Sequence, residues 1–182
     1  MELSAALRLV RHHRLFAGPS ARWADLGCGS GLFTSALAEL LPEGSTIYAV
    51  DKSRTALDQV PQSHRAIHVE KLQADLAAED LALSLLDGVL MANSLHFVAN
   101  QQAFLARAQK WLKPEGSFLL VEYDLDKANP WVPFPVPYKA LTRLFAPLGY
   151  TNMEKLAEHP SRYQRAPIYS ALVSTTFPPP NV

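Results

Sequence analysis

The sequence predicts an α/β fold, a doubly wound and mostly parallel sheet with helices on both faces. Between Arg22 and Tyr123, short β-branched and apolar runs alternate with segments whose apolar residues follow a 3.6-residue period. The run Gly27, Gly29, Gly31 stands between the first of these strands and the helix after it. Asp25, Asp51 and Asp75 fall at or just past the C-terminal ends of three strands, the edge at which such sheets bind ligands. With 182 residues, 48% of them hydrophobic, the chain can bury one core and has little left for a second. Residues 1–176 are therefore read as a single domain, and 177–182, with Pro178, Pro179 and Pro180, as a disordered tail.

In chain order, Leu3, Leu7, Val10 and Arg14 sit at helical intervals and predict an amphipathic helix over residues 3–16, ended by Gly18 and Pro19. A strand over 22–26 enters the glycine run, and Leu32, Phe33, Ala36, Leu37, Leu40 and Leu41 predict a helix over 30–41. Thr46 to Val50 reads as strand, 53–60 as a helix stopped by Pro61, and 66–69 and 86–92 as further strands. A helix over 100–113 and a strand over 117–123 follow. The prolines of 129–137 lack backbone donors, so this segment is a stiff loop carrying Trp131 and Phe134. A helix over 138–145 then leads to strands over 150–156 and 167–175, an antiparallel pair at one edge.

Lys plus Arg and Asp plus Glu number 17 each, so no net field draws the chain to nucleic acid or to an anionic membrane. Arg8, Arg11 and Arg14, with His12 nearby, read as a solvated helix face rather than a nucleic-acid patch. The N-terminus lacks the apolar stretch of a secretory signal, and no run reaches membrane-spanning length. The lone Cys28 makes neither an internal disulfide nor a Cys-based zinc cage, and the cytoplasm is the expected location. His64 and His68 have a zinc-like spacing, but the second falls in a strand and no third ligand is evident, so no metal is expected.

The glycines allow a ligand to approach the backbone and its N–H groups closely. A dinucleotide loop would need a sixth-position glycine where this chain has Leu32, and its pyrophosphate would meet the charge of Asp25. An ammonium group suits Asp25 better. Asp51, about 20 residues after the loop, suits both hydroxyls of a ribose. Asp75 adds an acceptor for an exocyclic amine.

With these motifs, with Asp87-Gly88-Val89-Leu90-Met91-Ala92-Asn93-Ser94-Leu95-His96 and with Trp111-Leu112-Lys113-Pro114-Glu115-Gly116, the chain resembles the class I S-adenosylmethionine-dependent methyltransferases. The resemblance covers roughly residues 20–125, about one domain core. It implies a Rossmann-like sheet of seven strands, S-adenosylmethionine as cofactor, and a cofactor site of Asp25, Gly27, Cys28, Gly29, Gly31, Asp51, Lys52, Asp75, Leu76, Asn93 and Ser94.

Displacement at a sulfonium has an activated leaving group, so alignment and desolvation supply much of the catalysis. His96 is the nearby group able to take a proton from the acceptor, with a structural, hydrogen-bonded role as the alternative. Tyr123, Trp131, Phe134 and Tyr138 are the expected acceptor-binding residues, roofing an apolar or aromatic small molecule. Enzymes of this kind that methylate DNA amines or protein glutamine carry Asn-Pro-Pro-Tyr where this chain has Asn93-Ser94-Leu95-His96, which favours an O- or C-acceptor. Two alternatives stay open: a cofactor-binding module without transferase activity, and a nicotinamide-dependent oxidoreductase, for which the Tyr123/Lys127 spacing is an accidental match.

Overall fold

The computed structural model describes residues 1–13, 18–76, 78, 80–161 and 166–175; Arg14 and the proline tail lie outside them. Strands β1 (Arg22–Leu26), β2 (Thr46–Asp51), β3 (Ser63–His64), β4 (Ile67–Gln73), β5 (Leu86–Ala92), β6 (Leu112–Tyr123), β7 (Asn152–His159) and β8 (Ile168–Ser174) form one sheet. Its order is β3-β4-β2-β1-β5-β6-β8-β7. The run from β4 to β6 is parallel, while β8 runs antiparallel to both β6 and β7, so the expected edge hairpin is present. The strand beyond the seven expected is β3, which folds back on β4 through Ser63↔His68 and His64↔Ile67. Ala66, expected to begin a strand, lies in the turn between these two.

Alternation along the strands sorts their side chains onto two faces. On one face, helices α1 (Leu3–Val10) and α2 (Leu32–Ala38) bury Leu9, Val10, Phe33 and Leu37 with Trp23, Ile47, Leu90 and Leu119. On the other, α4 (Gln101–Ala108) and α5 (Leu141–Phe145) bury Phe104, Leu105 and Phe145 with Leu26, Val89, Met91, Phe118 and Leu120. Leu57 and Val60, in and just after α3 (Arg54–Gln59), cover Ala49 and Val69.

Helix α1 is shorter than its apolar period predicts, because Arg11 turns extended (φ −73°, ψ 117°) after its N–H bonds the Leu7 carbonyl. Its buried face is Ala5, Ala6, Leu9 and Val10, and Leu3 is exposed. Arg8 and Arg11 therefore share no continuous helical face. The 100–113 helix gives way after Ala108 to a 3₁₀ turn, Gln109–Trp111. Strand β6 starts early, at Leu112 opposite Leu86, and its register then slips so that Ser117 faces Gly88. The proline segment is a loop, pinned by the buried Val132 and Val136. Among the described residues, no helix is long and apolar enough to cross a membrane.

Candidate active site

Strand β1 runs out into Gly27 (φ 76°), Gly29 (φ 54°) and Gly31 (φ 88°). Four of the loop's N–H groups turn inward. Gly27 and Cys28 donate to the Val50 carbonyl at 2.8 and 3.0 Å, Gly29 donates to Asp51 Oδ2 at 2.8 Å, and Gly31 donates to the Cys28 carbonyl at 3.0 Å. The expectation that these donors face a ligand is corrected, because the end of β2 lies against the loop and takes three of them. A cradle for phosphate needs such groups pointing outward.

Beneath the loop, Asp25 is fully buried. The Thr34 hydroxyl donates to its Oδ2 at 2.6 Å, while its Oδ1 has no partner. Burial pushes this carboxyl up to about 7, the Thr34 hydrogen bond pulls it down, and the charge of Asp51 pushes it further up. An ionised carboxylate kept from water without a counter-charge is costly, so the position favours a cationic ligand.

A cavity of about 450 Å³ opens beside the loop. Seven of the expected cofactor residues line it: Gly27, Asp51, Lys52, Asp75, Leu76, Asn93 and Ser94. Ala74, Phe97 and Val98 join them and were not expected from sequence; Phe97 is an exposed aromatic. Asp25, Cys28, Gly29 and Gly31 do not line it and instead build the loop's underside and far end. The Cys28 thiol donates weakly to the Gly29 carbonyl at 3.6 Å, and burial together with Asp25 and Asp51 holds it strongly protonated, so it is no nucleophile. Asp51 accepts from Gly29 N–H through Oδ2 and from Ser53 N–H through Oδ1, leaving each oxygen a spare lone pair.

After β5 the chain makes a tight turn. Asn93 takes a left-handed conformation (φ 52°), and its Oδ1 is buried without a partner. The Ser94 hydroxyl donates to the Leu26 carbonyl at 2.6 Å. A 3₁₀ turn, Leu95–Phe97, follows. Glu122, fully buried on β6, holds it: Oε1 accepts from the N–H groups of Leu95 and His96 at 2.9 and 3.3 Å, and Oε2 lies 2.5 Å from His96 Nδ1. Sequence reasoning missed Glu122, although a lone acid within the apolar run Phe118–Tyr123 was the available signal. His96 is buried and lines neither of the site's cavities. Glu122→Gln replaces one acceptor by a donor, and we expect a loss of about 1–3 kcal/mol in stability, read from the urea midpoint.

A second cavity, about 470 Å³, lies between α1 and the end of β7, and it meets the first at Asn93. Tyr123 lines it. The other expected acceptor residues lie apart from both cavities. Trp131 is 73% exposed, Phe134 is 41% exposed with its N–H on the His96 carbonyl, and Tyr138 packs edge-on against Tyr169 and donates to the Met153 carbonyl. These three are held by the proline loop and by β7. Among the described residues, no group of three or more His, Cys, Asp or Glu side chains is positioned to hold a metal ion.

A family model described as a methyltransferase domain matches residues 24–120, just over half of the chain. Cypemycin N-terminal methyltransferase from a Streptomyces species is 35% identical over 116 residues, which are 61% of this chain and 44% of that relative's length. The YcgJ protein of Bacillus subtilis superposes with a TM-score of 0.71 at 12% identity, covering 97% of this chain and 98% of that one. The 1,6-didemethyltoxoflavin-N1-methyltransferase of Burkholderia thailandensis, whose structure holds S-adenosylhomocysteine, superposes with a TM-score of 0.66 at 18% identity, covering 96% and 78%. At these identities the two structures show a common fold.

Proposed function

The chain belongs to the class I S-adenosylmethionine-dependent methyltransferases, and on that premise we propose that it methylates a small-molecule acceptor at oxygen or carbon. The observation that carries the cofactor assignment at this site is Asp25: a buried carboxylate with an unpartnered oxygen, under a loop in which the N–H groups of Gly27, Cys28, Gly29 and Gly31 are consumed inside the protein. That electrostatic surface fits a cationic cofactor and disfavours a pyrophosphate, so it counts against the nicotinamide alternative. Asp25 would serve the ammonium side, Asp51 the ribose hydroxyls, Asp75 and Leu76 the adenine end, and Asn93 and Ser94 the edge towards the acceptor.

When bound, S-adenosylmethionine supplies a methyl group on a sulfonium that leaves as a neutral thioether. The protein's share is then alignment and exclusion of water. Asn93, common to both cavities, stands where the acceptor meets the cofactor site. We assign His96 a positioning role through Glu122, fixing the turn that carries Asn93 and Ser94, in place of the proton-accepting role that its sequence position suggested.

An O- or C-acceptor is supported by Ser94-Leu95-His96 standing where methyltransferases of DNA amines or protein glutamine have Pro-Pro-Tyr. A nitrogen acceptor is the second reading, favoured by Asn93 Oδ1, an unpartnered acceptor suited to an amine N–H. Incubating the protein with methyl-labelled S-adenosylmethionine and a small-molecule extract separates them. Label in a low-mass ether, ester or C-methyl product supports the proposal, an N-methyl product supports the second reading, and label confined to macromolecules contradicts both. Asp51→Ala should weaken S-adenosylhomocysteine binding by about 1–3 kcal/mol, the scale of charge-assisted bonds, and unchanged affinity in a folded variant would refute the ribose assignment.

A further inference from the structure

The second cavity carries chemistry that the aromatic-roof expectation did not anticipate. From its inner end at the half-buried Asn93 and the buried Ile168, it opens to an exposed rim on α1 that includes Ser4 and Arg8, with the half-buried His159 on the β7 side. Arg8 makes no ion pair among the described residues, so its guanidinium stands at the exposed mouth of the cavity. The helix carrying it is fixed, because Ala5, Ala6, Leu9 and Val10 are buried and His12, just beyond its end, pairs with Glu154 of β7 at 3.5 Å. Arginine at such a position matches a planar carboxylate through two parallel hydrogen bonds. Glu2, the residue before the helix, also lies on the rim, and no ion pair joins it to Arg8.

We infer that this cavity is the acceptor site and that the acceptor is a small carboxylic acid, anchored by Arg8 with its reacting atom at the Asn93 end. The inference rests on the methyltransferase reading of the neighbouring cavity. The volume suits a molecule with a single ring or a short chain. His159 and Ser4 offer further donors to the same carboxylate, and Tyr123 shapes the inner wall. Selectivity then arises from charge at the mouth, not from the aromatic residues of the proline loop, which lie outside the cavity.

The test is calorimetric titration of the full chain, loaded with S-adenosylhomocysteine, using 2-hydroxybenzoate, 4-hydroxybenzoate and indole-3-acetate, each beside its primary amide. At least one acid should bind about tenfold more tightly than its amide, the scale of a charge-assisted contact. Arg8→Gln should abolish that preference while leaving S-adenosylhomocysteine affinity within about twofold, since Arg8 does not line the first cavity. Acids binding no better than amides in the wild-type protein would overturn the inference, whatever the fold of the variant. So would a preference that survives Arg8→Gln, or failure of every probe to bind. Failure of S-adenosylhomocysteine itself to bind would instead remove the methyltransferase assignment of the first cavity, and with it this inference.

Discussion

Asp25→Asn is expected to lower affinity for S-adenosylmethionine by about ten- to a hundredfold at pH 8, while removing the fall in the cofactor-free protein's stability that Asp25 causes between pH 4 and 7. Both effects come from one buried carboxyl. Its ordinary value is 3.8 and its folded value about 7. Between these, the unfolded chain has lost the proton and the folded chain keeps it. The native state thus binds more protons, and wild-type stability falls as pH rises through this window. Above pH 7 the accumulated cost is on the order of 4 kcal/mol. Asparagine does not titrate, so the variant escapes this fall, although its buried amide loses about 1–3 kcal/mol if its N–H groups find no partner. Cofactor binding reverses the balance, because a cation in the cavity beside the loop stabilises the ionised carboxylate beneath it through their mutual attraction. Wild-type affinity should therefore rise as pH passes through about 7, and the variant's should stay flat. Denaturation and calorimetric titrations at pH 4, 6, 7 and 8 read both effects.

Gly27→Ala should abolish cofactor binding in the measurable range and lower the melting temperature by several degrees. A Cβ at this position would stand 2.5 Å from the Ser94 Cβ, and the backbone at φ +76° is one that L side chains rarely adopt. The left-handed conformation alone costs roughly 1–2 kcal/mol. The contact adds more, because Ser94 is tied to the Leu26 carbonyl and cannot retreat without giving up that hydrogen bond. Gly29→Ala is the matched control. Its φ is +54°, and a Cβ there meets nothing within 4 Å, so it should carry the strain alone and bind measurably better than Gly27→Ala. Equal losses in the two variants would show that the Ser94 contact is not what requires glycine at position 27.

The strands were legible because their residues alternate or run apolar between turn signals, as in Leu86–Ala92, whose bounds match the sequence reading. The glycine run and the acids at the strand ends were legible for the same reason, since a strand ending in glycine leaves few ways to continue. What escaped has no periodic trace. Two-residue β3 is too short to carry one. The end of α1 is decided by the turn at Arg11, not by its apolar spacing. The inward-facing donors of the loop depend on Val50 and Asp51, on a neighbouring strand far along the chain, so no local pattern reports them. The grip of Glu122 on the Leu95–Phe97 turn is likewise a contact between β6 and a turn distant in the chain. Trp131, Phe134 and Tyr138 were drawn to the site by their aromatic character, and only the packing of the proline loop and β7 shows them held elsewhere.

The most direct measurement is a calorimetric titration of the full chain with S-adenosylhomocysteine, alone and with NAD⁺ in excess. The inward-turned donors and the unpartnered Asp25 oxygen predict one binding site per chain, with an affinity that NAD⁺ does not change. No binding, or displacement by NAD⁺, would contradict the claim that this glycine loop is built for a cation.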